Sequence, residues 1–550
     1  MKFVIRVDAS LQIGSGHVMR CLTFANVLAK NGHDITFICR EHDGHLADFI
    51  GQKGFDSHLL ANRKTPNFAK NFEKSHAHSE WLGVSEHDDF AACEPLLTDL
   101  QPDWLIIDHY AIGKDWEQQA KRLLPNVKIL VIDDLADREH DCEMLLDQNF
   151  GRVMNDYQRL VSENCRLLLG TRYSLLRQEF AEWRQFSLSR RHNITAPKSI
   201  LINLGGVDKD NVTLKVLQAL QAYMLQQDIT FAITVVMGKT APHIASVQAF
   251  ANQMPNCQVI INANNMAKLM ANADIAIGAS GSTTWERCCL GLPMVLLVLA
   301  DNQKVIAKAL AAKNMVKVVN NITKLDAQLP ILLNDLTADY QKLSRQSAKL
   351  VDGQGAKRVA NHIEFAQKLP HCQVRKATQA DTQRVWQWRN HADVRQWMFG
   401  QDEIALAEHE TWFGRQLDNP NVHLMIFLWQ GKPMGFVNVT QSTIDKYQTL
   451  NSPKNKSNDK TASWGFYLSP DSPKGQGLGF ALGVLAIAQI FNTTPINNIT
   501  AQVLAYNTAS LALHRKLGFV EKDVLKQHFG VGEKRYDVVE FGLLSEHFNY

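Results

Sequence analysis

Apolar and polar positions alternate along the chain in long stretches of one pattern. Residues 2–7 form a short apolar run without internal alternation, the signature of a strand buried on both faces. Residues 17–31 follow with helical periodicity and stop at Asn31-Gly32. Ile35–Cys39, Trp104–Asp108 and Lys128–Asp133 are further apolar runs, and the last two end in acid. Residues 171–186 read as helix and irregular connection, and Arg190–Pro197 as a polar linker. The grammar then repeats. Lys198–Gly206 is a strand running into a glycine turn, with a helix from about Val212. Strands are expected at Phe231–Met237, Gln258–Ile261, Asp274–Ile277 and Pro293–Leu299, with helices to about residue 368. Strands alternating with helices predict open, mostly parallel α/β sheets.

Near Lys368-Leu369-Pro370 the pattern changes. Gln373–Lys376 reads as a strand and Ala380–Arg389 as a helix rich in Trp and Arg. Leu424–Trp429, Met434–Val439 and Ala462–Leu468 suit an antiparallel meander. Gln441–Lys460, without apolar periodicity, is expected to be a mobile loop. The expected fold class is therefore α/β: two Rossmann-like units of GT-B type, then a C-terminal α+β domain. The expected boundaries are 1–190, 198–345, a helical linker at 346–372, and 373–550.

Composition narrows the function classes. A chain of 550 residues is too long for one core. Its 58 basic and 55 acidic residues leave a charge of +3, so no nucleic-acid partner is expected. No apolar run is long enough to span a bilayer and nothing resembles a signal peptide, so a cytoplasmic protein without membrane insertion is expected. The nine cysteines contain no Cys-x-x-Cys and read as reduced, with Cys288-Cys289 as packing residues. His42/His45 and His76/His78 lack a third ligand nearby and read as solvated, so no metal is expected. Oligomeric state is not legible.

Three glycine turns carry the candidate chemistry. Gly14-Ser15-Gly16 opens the first helix, and His17 and Arg20 follow on it. Free N–H groups there suit an anion or sugar, and His17 is placed to act as a base. Asp8 ends the preceding strand and is expected to orient His17 or bind a sugar hydroxyl. Gly278–Glu286 is the second turn. Ser280, Gly281, Ser282 and Thr283 are candidates to hold a diphosphate, Glu286 to accept ribose hydroxyls, and Asn302 and Gln303 to share the same rim. The third is Lys474-Gly475-Gln476-Gly477-Leu478-Gly479-Phe480, whose backbone N–H groups suit a pyrophosphate.

Arg6-Val7-Asp8 with Ile13–Arg20 and Gly278–Glu286 closely resembles the UDP-2,4-diacetamido-2,4,6-trideoxy-β-L-altropyranose hydrolases of pseudaminic acid biosynthesis, over roughly residues 1–345. The resemblance implies a UDP-sugar across the cleft, with UDP on the second unit. It implies His17 as the base for water attacking the anomeric carbon, without a metal. The third turn, with Val503–Ser510 and His514–Phe519, resembles GNAT acetyltransferases, which implies acetyl-CoA as co-substrate and Asn507 lining the pantetheine tunnel. Trp386–His391, Val394–Met398 and Trp464–Tyr467 resemble the pseudaminic-pathway N-acetyltransferases, which implies N-acetylation of a UDP-4-amino-sugar and a role in flagellin glycosylation. By its spacing, His514 stands where that superfamily has a thiolate-protonating tyrosine, and is expected to act as an imidazolium. Trp386, Trp388 and Trp397 either shape the sugar pocket or belong to the core. A GT-B glycosyltransferase with a UDP-sugar donor, fused to a GNAT protein or small-molecule acetyltransferase, is the alternative.

Overall fold

The computed structural model describes residues 1–62, 78–300, 303–441, 460–531, 534–548 and 550. The chain divides into two compact units, Met1–Ala360 and Asn361–Tyr550. The interior of the loop expected at Gln441–Lys460, together with His76 and Asn302, lies outside the described residues.

The first unit holds two parallel sheets. One contains β1 (Lys2–Val7), β2 (Asp34–Arg40), β3 (Asp56–Leu60), β4 (Trp104–Asp108), β5 (Lys128–Ile132), β6 (Met144–Asp147) and β7 (Arg166–Leu169), in the order β3-β2-β1-β4-β5-β6-β7. The other contains β8 (Ser199–Asn203), β9 (Ala232–Met237), β10 (Cys257–Ile261), β11 (Ile275–Ala279), β12 (Met294–Leu297) and β13 (Lys317–Val319), in the order β10-β9-β8-β11-β12-β13. The central strands are buried on both faces, which is why they read as unbroken apolar runs. In each sheet the strand order reverses between two strands, β1/β4 in one and β8/β11 in the other. Ligands of open α/β sheets bind at such switch points, beyond the strands' carboxyl ends. The register Val7↔Asp108 sets the end of β4 beside the glycine turn that follows β1, and Asn203↔Gly278 does the same for the second sheet.

Helix Gln178–His192 extends into the stretch expected as a linker, Arg190–Pro197, whose remaining residues are irregular, and Arg191 is buried against the second sheet's elements. Its guanidinium donates to the carbonyls of Ala273 (2.7 Å), Met270 (2.7 Å) and Leu290 (3.1 Å). Polar composition marked a linker there, but those donors face acceptors 79 to 99 residues away that the local pattern does not reveal.

A buried charge network braces the first sheet. Arg6 spans Asp8 (2.6 and 2.9 Å) and Asp89 (2.7 and 3.1 Å), while Arg40 reaches Asp89 Oδ1 at 2.5 Å. Two guanidiniums thus face two carboxylates, and Trp116 Nε1 donates to Asp89 Oδ2 at 3.1 Å. All four charged groups are buried, so each depends on its partners to offset desolvation.

The second unit is built on one mixed sheet. Its strands are β14 (Cys372–Lys376), β15 (Val422–Trp429), β16 (Lys432–Gln441), β17 (Thr461–Leu468), β18 (Asn498–Leu504), β19 (Val520–Val531) and β20 (Lys534–Leu544), in the order β14-β15-β16-β17-β18-β20-β19. β14 to β17 form the expected antiparallel meander. β17 and β18 pair in parallel only at Thr461–Ser463 with Asn498–Thr500, and then run on without partnering each other. That divergence opens the sheet at its centre. Helix Leu478–Thr493 packs against helix Thr508–Leu517, close enough that a Cβ on Gly483 would meet Leu517 Cδ1 at 2.6 Å.

Substituting Asp89→Asn removes one anion from the balanced network and leaves Arg40 without a carboxylate. Urea unfolding of the first unit is expected to show a loss of about 3–5 kcal/mol. A loss below about 1 kcal/mol contradicts the bracing role.

Candidate active sites

At the first switch point, Ser10 closes a tight turn. Its Oγ accepts from the N–H groups of Gln12 (3.1 Å) and Ile13 (2.9 Å), and Gly14 N donates to Ser10 O at 2.8 Å. Gly14 has φ +80°, a left-handed conformation that suits glycine, and the chain then enters helix Gly16–Lys30. The first turn of that helix carries His17. Its Nδ1 lies 2.6 Å from Asp108 Oδ1. An ionised carboxylate only accepts, so Nδ1 carries the hydrogen, and in the neutral ring the lone pair is then on Nε2.

Asp108 is fully buried and also takes a bidentate contact from Arg20, with Nε to Oδ2 and Nη2 to Oδ1 both at 2.6 Å. Burial opposes its ionisation, but the charge of Arg20 and the hydrogen bonds from Arg20 and His17 prevail and hold it well below the usual carboxylate range. Arg20 Nη1 also donates to Asp134 Oδ2 at 2.5 Å, and Tyr110 Oη to the same oxygen at 2.6 Å. Tyr110 stands edge-on to the His17 ring at 4.6 Å, and Trp81 does so at 6.3 Å. His78, expected to be solvated, packs on Trp81 at 4.3 Å.

Two expectations change. The carboxylate on His17 is Asp108, not Asp8. Side chains two apart on a strand share a face, so Arg6 takes Asp8 as its partner. Asp8 Oδ1 also accepts from Arg40 N at 2.6 Å, and His109 and His42 approach its Oδ2 at 3.3 and 3.5 Å. Arg20, expected to meet the substrate, spends its guanidinium on Asp108 and Asp134 and is only 9% exposed. It positions the site's carboxylates.

At the second switch point, the N–H groups of Gly281, Ser282 and Thr283 have no partner among the described residues. Ser280 is buried and its Oγ donates to Gln303 O at 3.3 Å, while Gln303 Oε1 accepts from Leu299 N at 2.9 Å. Glu286 lies 3.4 Å from Arg177 Nη2. Burial pushes its carboxyl up, against the charges of Arg177 and Arg287. Arg287 was not anticipated. It is buried beneath the turn and donates to the carbonyls of Ala279 (3.1 Å) and Asn203 (3.2 Å) and to Thr283 Oγ1 (3.1 Å). No carboxylate among the described residues pairs with it. Burial pushes it down to about 10, against the pull of Glu286, so it stays charged near neutrality.

In the second unit, Gly475 (φ +76°) and Gly477 (φ +68°) shape the loop into helix Leu478–Thr493. The N–H groups of Gly477, Leu478 and Gly479 have no partner among the described residues, while the Leu478 and Phe480 side chains are in the core. Phe480 N and Ala481 N return to Gly477 O. Gln476 lies within the loop itself. Beside it, where β17 and β18 diverge, a cavity of about 1630 Å³ is lined by Trp464–Leu468, Lys474, Gly479, Asn507 and His514. Asn507 Oδ1 caps helix Thr508–Leu517 by accepting from Ser510 N at 3.0 Å.

His514 does not fit the expected imidazolium. It is 3% exposed, its Nδ1 meets Ser510 O at 2.8 Å, and its ring stacks on Phe541 at 5.2 Å. Burial pushes it down to about 4 despite the Ser510 carbonyl, so it is neutral at pH 7. A second cavity of about 570 Å³ shares Met398 and Gly465–Tyr467 with the first and holds Arg389, His409, Trp412 and Arg415. Arg389 Nη1 and His409 Nε2 are buried there without a hydrogen-bond partner among the described residues. Of the three tryptophans in question, Trp388 is core, Trp386 Nε1 ties Ile404 O at 2.7 Å, and Trp397 lines the larger cavity.

Two stretches of the chain match known families. Residues 202–363, which hold the second switch point, match the glycosyltransferase family 28 C-terminal domain, and residues 372–520 match the acetyltransferase (GNAT) domain. The chain carries both matches. It is 28% identical over 313 residues to UDP-2,4-diacetamido-2,4,6-trideoxy-beta-L-altropyranose hydrolase of Campylobacter jejuni, covering 57% of this chain and 97% of that one. It is 30% identical to the spore coat polysaccharide biosynthesis protein SpsG of Bacillus subtilis, covering 36% of this chain and 58% of that one. An uncharacterised protein of Methanocaldococcus jannaschii is 25% identical, with 81% and 84% covered. Among solved structures, a spermidine N-acetyltransferase from Vibrio cholerae in complex with CoA and spermine matches at 16% identity and TM-score 0.28, covering 32% of this chain and 98% of that one. The chain is thus an enzyme joining a region similar to a UDP-sugar hydrolase to an acetyltransferase domain. Among the described residues no helix is long and apolar enough to cross a membrane, and no group of three His, Cys, Asp or Glu side chains could hold a metal ion.

A Cβ on Gly278 would lie 2.1 Å from Arg287 Nη2, so the guanidinium would have to leave its carbonyl acceptors to make room. Gly278→Ala is expected to cost about 1–3 kcal/mol in stability, read by thermal unfolding. An unchanged melting temperature contradicts the packing described.

Proposed function

We propose that the Met1–Ala360 unit hydrolyses UDP-2,4-diacetamido-2,4,6-trideoxy-β-L-altropyranose to UDP and free sugar, and that the Asn361–Tyr550 unit N-acetylates the UDP-4-amino-sugar precursor with acetyl-CoA. The product of the second unit is then the substrate of the first, and both steps belong to pseudaminic acid biosynthesis. The observation that carries the hydrolytic reading is the His17–Asp108 pair at 2.6 Å, at a switch point of a chain similar to such a hydrolase.

In this reading UDP sits on the second sheet, its diphosphate against the free N–H groups of Gly281–Thr283 and its ribose at Glu286. The sugar then faces His17. A water oxygen forms a bond to the anomeric carbon as the bond from that carbon to the β-phosphate oxygen breaks, and the electron pair leaves with UDP. His17 Nε2 takes the water's proton, and Asp108 stabilises the imidazolium formed. UDP leaves readily, its charge met by backbone donors and by Arg287 beneath them. The edges of Tyr110 and Trp81 give the sugar's methyl and acetamido groups an apolar wall.

For acetyl transfer, the diverged strands and the Gly475–Gly479 loop fit acetyl-CoA, the loop amides meeting its diphosphate. Beyond Ser463, β17 still pairs with β16 but no longer with β18, so the backbone N–H groups on its β18 edge are available to polarise the thioester carbonyl. The smaller cavity, with Arg389 and His409, takes the acceptor. Nitrogen forms the amide bond as the carbon–sulfur bond breaks, and the proton lost by the amine balances the one gained by the thiolate. His514, being neutral, shapes the tunnel.

The test supplies acetyl-CoA and the UDP-4-amino-sugar and follows CoA, UDP and free sugar. Wild type is expected to release all three. His17→Leu is expected to stop UDP release and leave CoA release intact, and Asp108→Asn to slow UDP release by roughly 10²–10⁴. UDP release that survives both substitutions, or that needs an added acceptor sugar, overturns the hydrolase reading.

A further inference from the structure

The acetyltransferase domain match begins at residue 372, but the second unit begins earlier. Helix Gly355–Lys368 ends just before it. Its last turns are fastened to the co-substrate loop by aromatic packing. Phe365 meets Phe480 edge-on at 6.0 Å, His362 stacks on Tyr550 at 4.2 Å, and Tyr550 meets Phe480 at 5.1 Å. Phe480 lies in the first turn of helix Leu478–Thr493, directly after the loop.

This fastening brings Lys368 to the loop. A Cβ on Gly477 would lie 3.2 Å from Lys368 Nζ, so the ammonium sits against the loop backbone. Lys516 arrives from the other side, its Nζ 4.6 Å from the Phe480 ring centroid. Neither ammonium pairs with a carboxylate among the described residues. Glu364, on the same helix as Lys368, is the acid that acts on Lys516. Burial pushes Lys516 down, Glu364 opposes this and Lys368 adds to it, so the two ammoniums feel each other. A cation against the loop backbone, with a second over the Phe480 ring next to it, beside N–H groups without a partner among the described residues, is an arrangement that an anion relieves.

We propose that Lys368, from the segment preceding the acetyltransferase domain, binds the diphosphate of acetyl-CoA at the Gly475–Gly479 loop. The inference rests on the reading of that loop as the acetyl-CoA site. Its consequence is that the domain alone lacks part of its co-substrate site, which the joining helix supplies. The pocket is completed by the same residues that attach the domain to the rest of the chain.

Calorimetry of CoA binding to the full chain tests this. Lys368→Ala is expected to raise Kd about tenfold, the worth of one charge-assisted contact. Lys368→Arg, keeping the charge, is expected to stay within about threefold of wild type. Lys357→Gln, an exposed change on the same helix, is expected to leave Kd unchanged. The tenfold loss is expected again with dephospho-CoA, which keeps the diphosphate and lacks the 3′-phosphate. Wild-type affinity in Lys368→Ala, or a loss that disappears with dephospho-CoA, overturns the proposal. Equal loss in Lys368→Arg and Lys368→Ala does so too, because charge is then not what Lys368 contributes. A wild-type chain that takes up no CoA overturns the acetyl-CoA reading itself, a result distinct from the others.

Discussion

The first unit depends on one buried carboxylate. Asp108 ends a central strand, is closed off from water, and is held ionised by a bidentate arginine and a histidine. Each of its partners gains from the others. Arg20 keeps Asp108 charged, Asp108 fixes the His17 tautomer, and that tautomer leaves Nε2 free. The cost of burying the carboxylate is offset only while both partners stay in place, so the site and the local fold stand together. The same economy governs the adjacent Arg6–Asp8–Asp89–Arg40 cluster, where charges balance and none is left for a ligand.

Arg287 breaks that balance. It sits under the second glycine turn with carbonyl and hydroxyl acceptors but no carboxylate, and its charge is directed at the backbone rather than cancelled. The two switch points of the first unit thus differ in electrostatic kind. One pairs a base with an acid; the other presents donors over an unbalanced cation. A substrate with a neutral sugar and an anionic diphosphate matches that division.

The alternation of apolar runs and helices made both parallel sheets legible, because their central strands are buried on both faces. β3, β7 and β13 sit at sheet edges and are only partly buried, so they lack the long apolar run that marks the central strands. His17 was legible from its place at a glycine turn. Its partner was not, since Asp108 lies 91 residues away and is brought near only by the β1–β4 register. An apolar strand ending in acid was the available signal, and Asp8 offered the same signal closer by. His514 shows the converse. Its place on the helix is legible, while its protonation depends on Phe541, Phe519 and Trp464, which close around it only in the fold.

In the proposed hydrolysis water attacks carbon rather than phosphorus. Hydrolysis of UDP-2,4-diacetamido-2,4,6-trideoxy-β-L-altropyranose in H₂¹⁸O, followed by mass spectrometry of the released UDP, tests it most directly. Cleavage between the anomeric carbon and oxygen predicts UDP free of ¹⁸O, with the label entering the sugar. Incorporation of ¹⁸O into the β-phosphate of UDP would contradict the account.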